Sequence, residues 1–331
     1  MLPSAKAFFG IAIKSAMPLS NMKARSVRGT YNMNTLASTP IHCGIAGWSY
    51  PDWTDYVYPR KAGNKLQYIA AYVDMIEINS TFYRPPESRI VASWLHETET
   101  LPNFFFTAKI HHSVTHEHKL EPAIVTAFKS GLAPLAGAGR LKHLLAQFRY
   151  DFRDSPPNRE HLQRMLDAFG ATSHTALELR DASWQSPEAA AFLNTLDATV
   201  AHLDYPADAG HFTPAMEPGK TDAYLRLHGR NRAAWFDRNA GRDETYNYLY
   251  PPQEVDDIVQ RATRIAQRAK SLTIVGNNHF QGKQLVNILQ IKARLCGKKV
   301  RVPPNLQAHY PDELDPIAMP DEPTLFSTAG L

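Results

Sequence analysis

The stretch Asp74-Met75-Ile76-Glu77-Ile78-Asn79 sets two polar side chains, Glu77 and Asn79, in alternation with Ile76 and Ile78. Side chains on a strand point to opposite faces in turn, so the polar pair shares one face and the isoleucines the other. The pattern recurs along the chain. Glu178 and Arg180 oppose Leu177 and Leu179, Arg226 and His228 oppose Leu225 and Leu227, and His202 shares a face with Asp204. Short apolar runs of this kind occupy residues 41–45, 74–79, 104–110, 144–148, 176–180, 199–204, 223–229 and 273–278. A turn signal and a helical pattern come after the runs, which is the alternation of a parallel α/β fold. Eight such units close a TIM (β/α)8 barrel, and that is the fold class expected here.

The clearest helix is expected over residues 252–270, where Val255, Ile258, Ala262 and Ile265 recur at helical spacing behind a proline pair. An open doubly wound sheet would need a glycine-rich phosphate turn after its first strand. The chain has Gly44-Ile45-Ala46-Gly47-Trp48 there, without three spaced glycines. A barrel takes roughly 250 residues, so the 331-residue chain reads as a single domain with tails. The expected division is a flexible N-terminal extension at 1–39, a barrel at 40–296 and a proline-rich tail at 297–331. The extension has five Lys or Arg and no Asp or Glu, which fits a disordered leader or an over-extended start better than a targeting segment.

A hydrophobic share of 44% and a charged share of 21% exclude a disordered chain. The net charge of +4 suits a small anionic or polar substrate without demanding nucleic acid, although a nucleic-acid or ligand-binding module stays open as an alternative. Cys43 and Cys296 have neither metal-ligand spacing nor a disulfide framework, so a cytoplasmic location is expected. No apolar run reaches the roughly 18 residues of a membrane span, and no membrane partner is expected. Oligomeric state is not legible.

An isolated buried charge costs several kcal/mol unless paired, so polar residues on the inner face of a barrel need a reason. They cluster toward the carboxyl ends of the runs, where barrel enzymes build their sites. The expected catalytic groups are Glu77, Glu178, Lys109 and Asp204. Asn79, His116, Gln147, Arg180, Arg226, His228, Asn277 and Asn278 would hold substrate, with the rings of Trp48, Tyr50, Phe82 and Tyr83 as walls. Glu77 and Glu178 could divide acid and base roles, and the cations could grip phosphate or carboxylate. The segment between the seventh and eighth runs adds Arg230, Arg232, Arg238 and Arg242 beside Trp235, Tyr246 and Tyr248, a further candidate anion site.

Several of these residues carry a family resemblance. Gly44 to Tyr50 with Trp53 and Tyr58-Pro59, Glu77 to Tyr83, Lys109, Thr115-His116, Glu178-Leu179-Arg180, Arg226 to Gly229, and Asn277-Asn278-His279 with Gly282 resemble the YecE-like family, domain of unknown function 72. The resemblance spans about residues 41–292 and implies a barrel related to the xylose-isomerase and endonuclease-IV type. It implies no activity, since fold does not transfer function. Where similar proteins read Phe-Gln-Leu-Pro-Pro, this chain has Ala146-Gln147-Phe148-Arg149-Tyr150, which keeps Gln147 and alters the loop after it.

The leading reading is metal-independent acid–base chemistry, hydrolysis or isomerisation, on an anionic sugar-like or nucleotide-like molecule. A metal-dependent hydrolase or isomerase is the second reading. His111, His112, His116 and His118 encourage it, but their spacing matches no ligand signature, so no metal residues are singled out and a divalent ion is not favoured. No nicotinamide, flavin or heme motif is present, and neither a P-loop nor a nucleophile elbow appears.

Overall fold

The structure is a computed structural model that describes residues 39–61, 63–206, 222–237 and 239–320. The expected N-terminal extension, Thr39 excepted, therefore lies outside the described residues, as do Arg238, the side chain of Arg242 and the tail beyond 320.

The strands are β1 (Ile41–Ala46), β2 (Met75–Ile78), β3 (Phe105–Lys109), β4 (Leu141–Gln147), β5 (His174–Glu178), β6 (Ala198–Val200), β7 (His202–Asp204), β8 (Ala223–Leu227) and β9 (Leu272–Gly276). They form one parallel sheet in the order β6-β5-β4-β3-β2-β1-β9-β8-β7. Its two outer members are neighbours in the chain, separated by Ala201 alone. Val200 pairs with Leu177 of β5, and His202 pairs with Leu225 of β8. Residues 198–204 are thus one stave that changes partner half-way, and the eight expected runs make a nearly closed TIM barrel in a single domain.

The inner face begins apolar. Ala46, Met75, Phe105, Leu145, Ala176, Leu203, Tyr224 and Val275 fill the middle of the barrel, all nearly inaccessible to solvent. Strand alternation sets the next layers. Two residues on, toward the carboxyl ends, stand Glu77, Thr107, Gln147, Glu178, Tyr205, Arg226 and Asn277, and two further come Asn79, Lys109, Arg180 and His228. The opposite faces of the strands meet the helices in the larger core, with Ile45, Ile76, Ile78, Phe106, Leu144, Leu177, Leu225 and Ile274 among its members.

The helix expected from Pro252 runs to Ala266 and buries Val255, Ile258, Ala262 and Ile265 on the barrel. Its end precedes the expected 270 because residues 267–269 turn back on carbonyls of the last turn. The proline-rich segment after 297 forms two short helices, Pro304–His309 and Pro311–Leu314, each opened by a proline in its first turn, where a missing N–H costs nothing. Leu306 and Leu314 are fully buried, and Val300 bonds to Ile317 and Met319, so residues 300–319 pack on the barrel's flank. Among the described residues, no helix is long and apolar enough to cross a membrane.

One glycine shapes the mouth. Gly229 comes after His228 with φ of 86°, a left-handed conformation costly to any residue with a Cβ, and a Cβ there would stand 2.7 Å from that of Tyr248. The chain can therefore leave β8 sharply and carry Trp235 and Tyr246 over the barrel.

Candidate active site

The floor of the mouth is a buried ion network centred on Arg226, which is 1% exposed. Its guanidinium donates to Glu77 Oε1 at 2.7 Å and to Glu178 Oε2. Both carboxylates are wholly buried. Tyr224 donates its hydroxyl proton to the second oxygen of Glu77 at 2.9 Å, so Thr107, 3.0 Å away, must be the donor to Tyr224. Burial pushes the Tyr224 hydroxyl well above its ordinary range, and Glu77 adds to that, which keeps it a donor.

Glu178 Oε1 accepts from Arg180 Nε at 2.9 Å and from Gln147 Nε2 at 2.6 Å. Burial alone would raise the Glu178 carboxyl, but Arg226 and Arg180 outweigh it and hold the group well below the usual carboxylate range. Glu178 is therefore a fixed anion. With Nε2 committed to Glu178, the Oε1 of Gln147 faces the other way and accepts from Lys109 Nζ at 2.5 Å.

A second chain fixes a tautomer. Arg226 can only donate, so the atom of Asn277 facing it at 3.4 Å is the amide oxygen. The amide nitrogen then meets His228 Nδ1 at 3.0 Å, which must accept, and the ring proton sits on Nε2, 3.4 Å from Glu178. Burial first, and the arginines nearby, lower His228 to about 4. His228 is a neutral N–H donor near pH 7.

Lys109 stands at the end of this relay. Its ammonium lies 4.3 Å from the centre of the Phe82 ring, with His116 edge-on to the same ring at 4.8 Å. Burial and the positive charge of Arg226 lower Lys109 to about 8, against the pull of Glu77 and Glu178. His116 is lowered to about 4 by burial and by Lys109, Arg149 and Arg180.

Above Arg180 opens a cleft of about 470 Å³ lined by Tyr150, Arg180, Tyr205, Trp235, Phe236, Thr245 and Tyr246. Trp235 stacks on Tyr205 at 5.9 Å and 12°, and Arg180 lies 5.9 Å from its ring centre. Tyr246 packs on Trp235 at 5.9 Å and on His279 at 5.2 Å, and His279 stacks on Tyr50 at 4.4 Å.

The geometry brings together Glu77, Lys109, Gln147, Glu178, Arg180, Arg226, His228 and Asn277, with Phe82 and His116 beside Lys109. Asn79 shares the Glu77 face, and its buried Oδ1 has no hydrogen-bond donor. Other expected residues part from the group. Asp204 requires a correction, because Leu203, not Asp204, points into the barrel. Polarity had suggested the inner face for His202 and Asp204, but the barrel's middle layer demands an apolar residue at this level. Asp204 instead accepts from Arg230 at 2.8 and 2.7 Å and from Tyr250 at 2.9 Å, with Arg261 at 3.7 Å. That pairing also takes Arg230 out of the candidate anion site. Asn278 likewise faces outward, donating to the Tyr248 carbonyl and to Asn287. Trp48 packs edge-on against Trp94 at 5.4 Å, and Tyr83 is a rim residue 66% exposed.

The histidines after β3 are engaged separately. His111 meets Ser113, His112 meets Glu117, and His118 packs on Phe152 and His161. Among the described residues, no three His, Cys, Asp or Glu side chains are grouped to hold a metal. Sequence reasoning missed Tyr205, Tyr224 and His279. Tyr205 succeeds Leu203 on the inner face and Tyr224 precedes Arg226 on it, so correct alternation would have found both.

The model of the family described as "Protein of unknown function DUF72" matches residues 42–311. The chain belongs to the DUF72 family. The UPF0759 protein YunF of Bacillus subtilis (strain 168) is 27% identical over 277 residues, covering 76% of this chain and 95% of that protein. The UPF0759 protein YecE of Escherichia coli (strain K12) is 29% identical over 98 residues, 29% of this chain and 34% of that one. The crystal structure of a DUF72 family protein from Thermotoga maritima matches with a TM-score of 0.68 and 30% identity, covering 77% of this chain and 99% of the other. The expected YecE-like, DUF72 membership is thereby met, and the DUF72 match reaches past residue 296 into the two helices on the barrel's flank.

Proposed function

We propose that this protein is an enzyme of acid–base chemistry acting on a polar, anionic, sugar-like or nucleotide-like molecule, with Lys109 as the proton-exchanging group. One observation carries the reading. Of the three cations on the inner face among the described residues, Arg226 and Arg180 take both carboxylates, and Lys109 has an amide for its partner. Arginine does not give up its proton, and a carboxylate locked to it does not take one. Lys109, lowered to about 8, is the group able to do both near neutral pH.

The carboxylates then serve as fixed charges that hold Arg226 and Arg180, instead of dividing acid and base roles. Three cations against two carboxylates leave one positive charge over, which favours an anionic ligand. Arg180 faces the cleft and can offer a planar pair of donors to phosphate or carboxylate. The aromatic walls suit the flat faces of a sugar or a base. The cytoplasm, with its phosphorylated metabolites, fits this reading.

Calorimetric titration with inorganic phosphate tests it. Lys109 is charged below about pH 8, so affinity is expected to be highest there and to fall as pH rises through that value. Arg180→Ala should weaken binding about tenfold, the worth of one charge-assisted contact. No heat from the wild type, or heats independent of pH and of Arg180, would overturn the reading.

A further inference from the structure

We propose that Lys109 acts as a nucleophile, its Nζ condensing with the carbonyl carbon of an aldehyde or ketone that carries an anionic group, while Arg180 holds the anion. The inference rests on the preceding reading of Lys109 as the reacting amine and names the substrate class.

Its support is the placing of the amine. A primary amine attacks a carbonyl only through its free electron pair, so a lysine paired with a carboxylate is a poor nucleophile. Here Gln147 stands between Lys109 and Glu178, hydrogen-bonded to each. The amine is held in position by a neutral oxygen, one side chain removed from the negative charge. Phe82 covers another side of the ammonium, its ring centre 4.3 Å from Nζ. Desolvation and a neighbouring cation are the two devices that free a lysine amine, and burial and Arg226 supply both. The charged groups facing Lys109 are Arg226, Arg180, Glu77 and Glu178, and His116 beside it is neutral near pH 7.

In the condensation Nζ forms a bond to the carbonyl carbon, the π pair moves to oxygen, and the oxygen takes the proton that nitrogen loses. The carbon–oxygen bond of this carbinolamine then breaks as the oxygen takes a second proton and leaves as water, and the nitrogen pair closes the C=N bond. Lysine amine, carbonyl compound and one proton give a protonated imine and water, with no change of oxidation state. Such an imine draws electrons from the adjacent carbon, which makes its C–H acidic and opens a route to isomerisation.

Reductive trapping tests this. Intact wild-type chain is incubated near pH 8 with glyceraldehyde 3-phosphate, or with glycolaldehyde as a phosphate-free control, then reduced with borohydride and mapped by peptide mass. The expected result is one adduct concentrated at Lys109, absent from Lys109→Arg, which keeps the charge but cannot condense. Arg180→Ala should lose about tenfold of the adduct with the phosphate-bearing probe and little with glycolaldehyde. Folding of each variant is checked by circular dichroism, and Lys109→Met gives a second non-condensing variant should the arginine not fit. Adducts spread over surface lysines without preference for Lys109 would overturn the proposal. If phosphate still binds in calorimetry while no Lys109 adduct forms, the imine is refuted and the acid–base reading stands. If neither occurs, both fall.

Discussion

Replacing Arg226 with methionine is expected to destabilise the fold by about 3–5 kcal/mol, the cost of leaving buried carboxylates without their partner. Glu77 and Glu178 are 0% exposed, so neither can recover solvation by a rotamer change. The pH dependence carries the sharper signature. In the wild type, Glu178 is held below its ordinary value, so its contribution to stability is full above the unfolded carboxylate pKa and is lost as pH falls through the folded one. Without Arg226, Glu178 keeps Arg180 but loses the larger of the two cations that outweigh its burial, so the stability it gains as pH rises should shrink. The combined variant E77Q/E178Q/R226M removes the charges together and should recover much of the loss. Urea melts of the three chains across the acid range check both statements, and an unchanged pH slope in R226M would refute them.

Asp204→Ala is the second large effect, expected at about 2–3 kcal/mol because it strips Tyr250 and Arg230 of their common acceptor, discounted for the partly exposed Arg230. Tyr250 is fully buried and also receives the Gly229 amide, so the damage should centre on the turn that launches residues 230–250 over the mouth. Hydrogen exchange should accelerate at Gly229 and Tyr250 with little change in β2, β3 and β5. Asp204→Asn keeps an acceptor for Tyr250 and should cost less. A D204A chain as stable as wild type would mean that the outward ion pairs are incidental. Loss of phosphate binding with stability intact would return Asp204 to the site.

The fold was legible because eight runs alternate with helical patterns and because the polar pairs of four of them obey period two. Glu77, Glu178, Arg226 and His228 were found by that rule alone. It misled at 199–204, where the polar pair His202 and Asp204 lies on the outer face and Ala201, Leu203 and Tyr205 line the inner one. Only the three-dimensional stacking of Leu203 with Phe105, Leu145, Tyr224 and Val275 decides between them. Asn277 and Asn278 posed the same ambiguity, since adjacent identical residues carry no parity signal.

The roles within the cluster were less legible than its membership. Two glutamates on one face suggest an acid and a base, yet the sequence does not say which cation reaches which carboxylate. The network of hydrogen bonds does. Arg226 spans Glu77 and Glu178, Arg180 closes on Glu178, and Gln147 turns its carbonyl to Lys109. The loop after Gln147 brings Tyr150 to the cleft.

Lys109 is expected to release its proton far below an ordinary lysine. Competitive trace acetylation across the alkaline range, read at each lysine by peptide mass, measures this directly on the wild-type chain. A midpoint at Lys109 of about 8 is the result expected. A midpoint for Lys109 near the ordinary 10.5 would contradict the account.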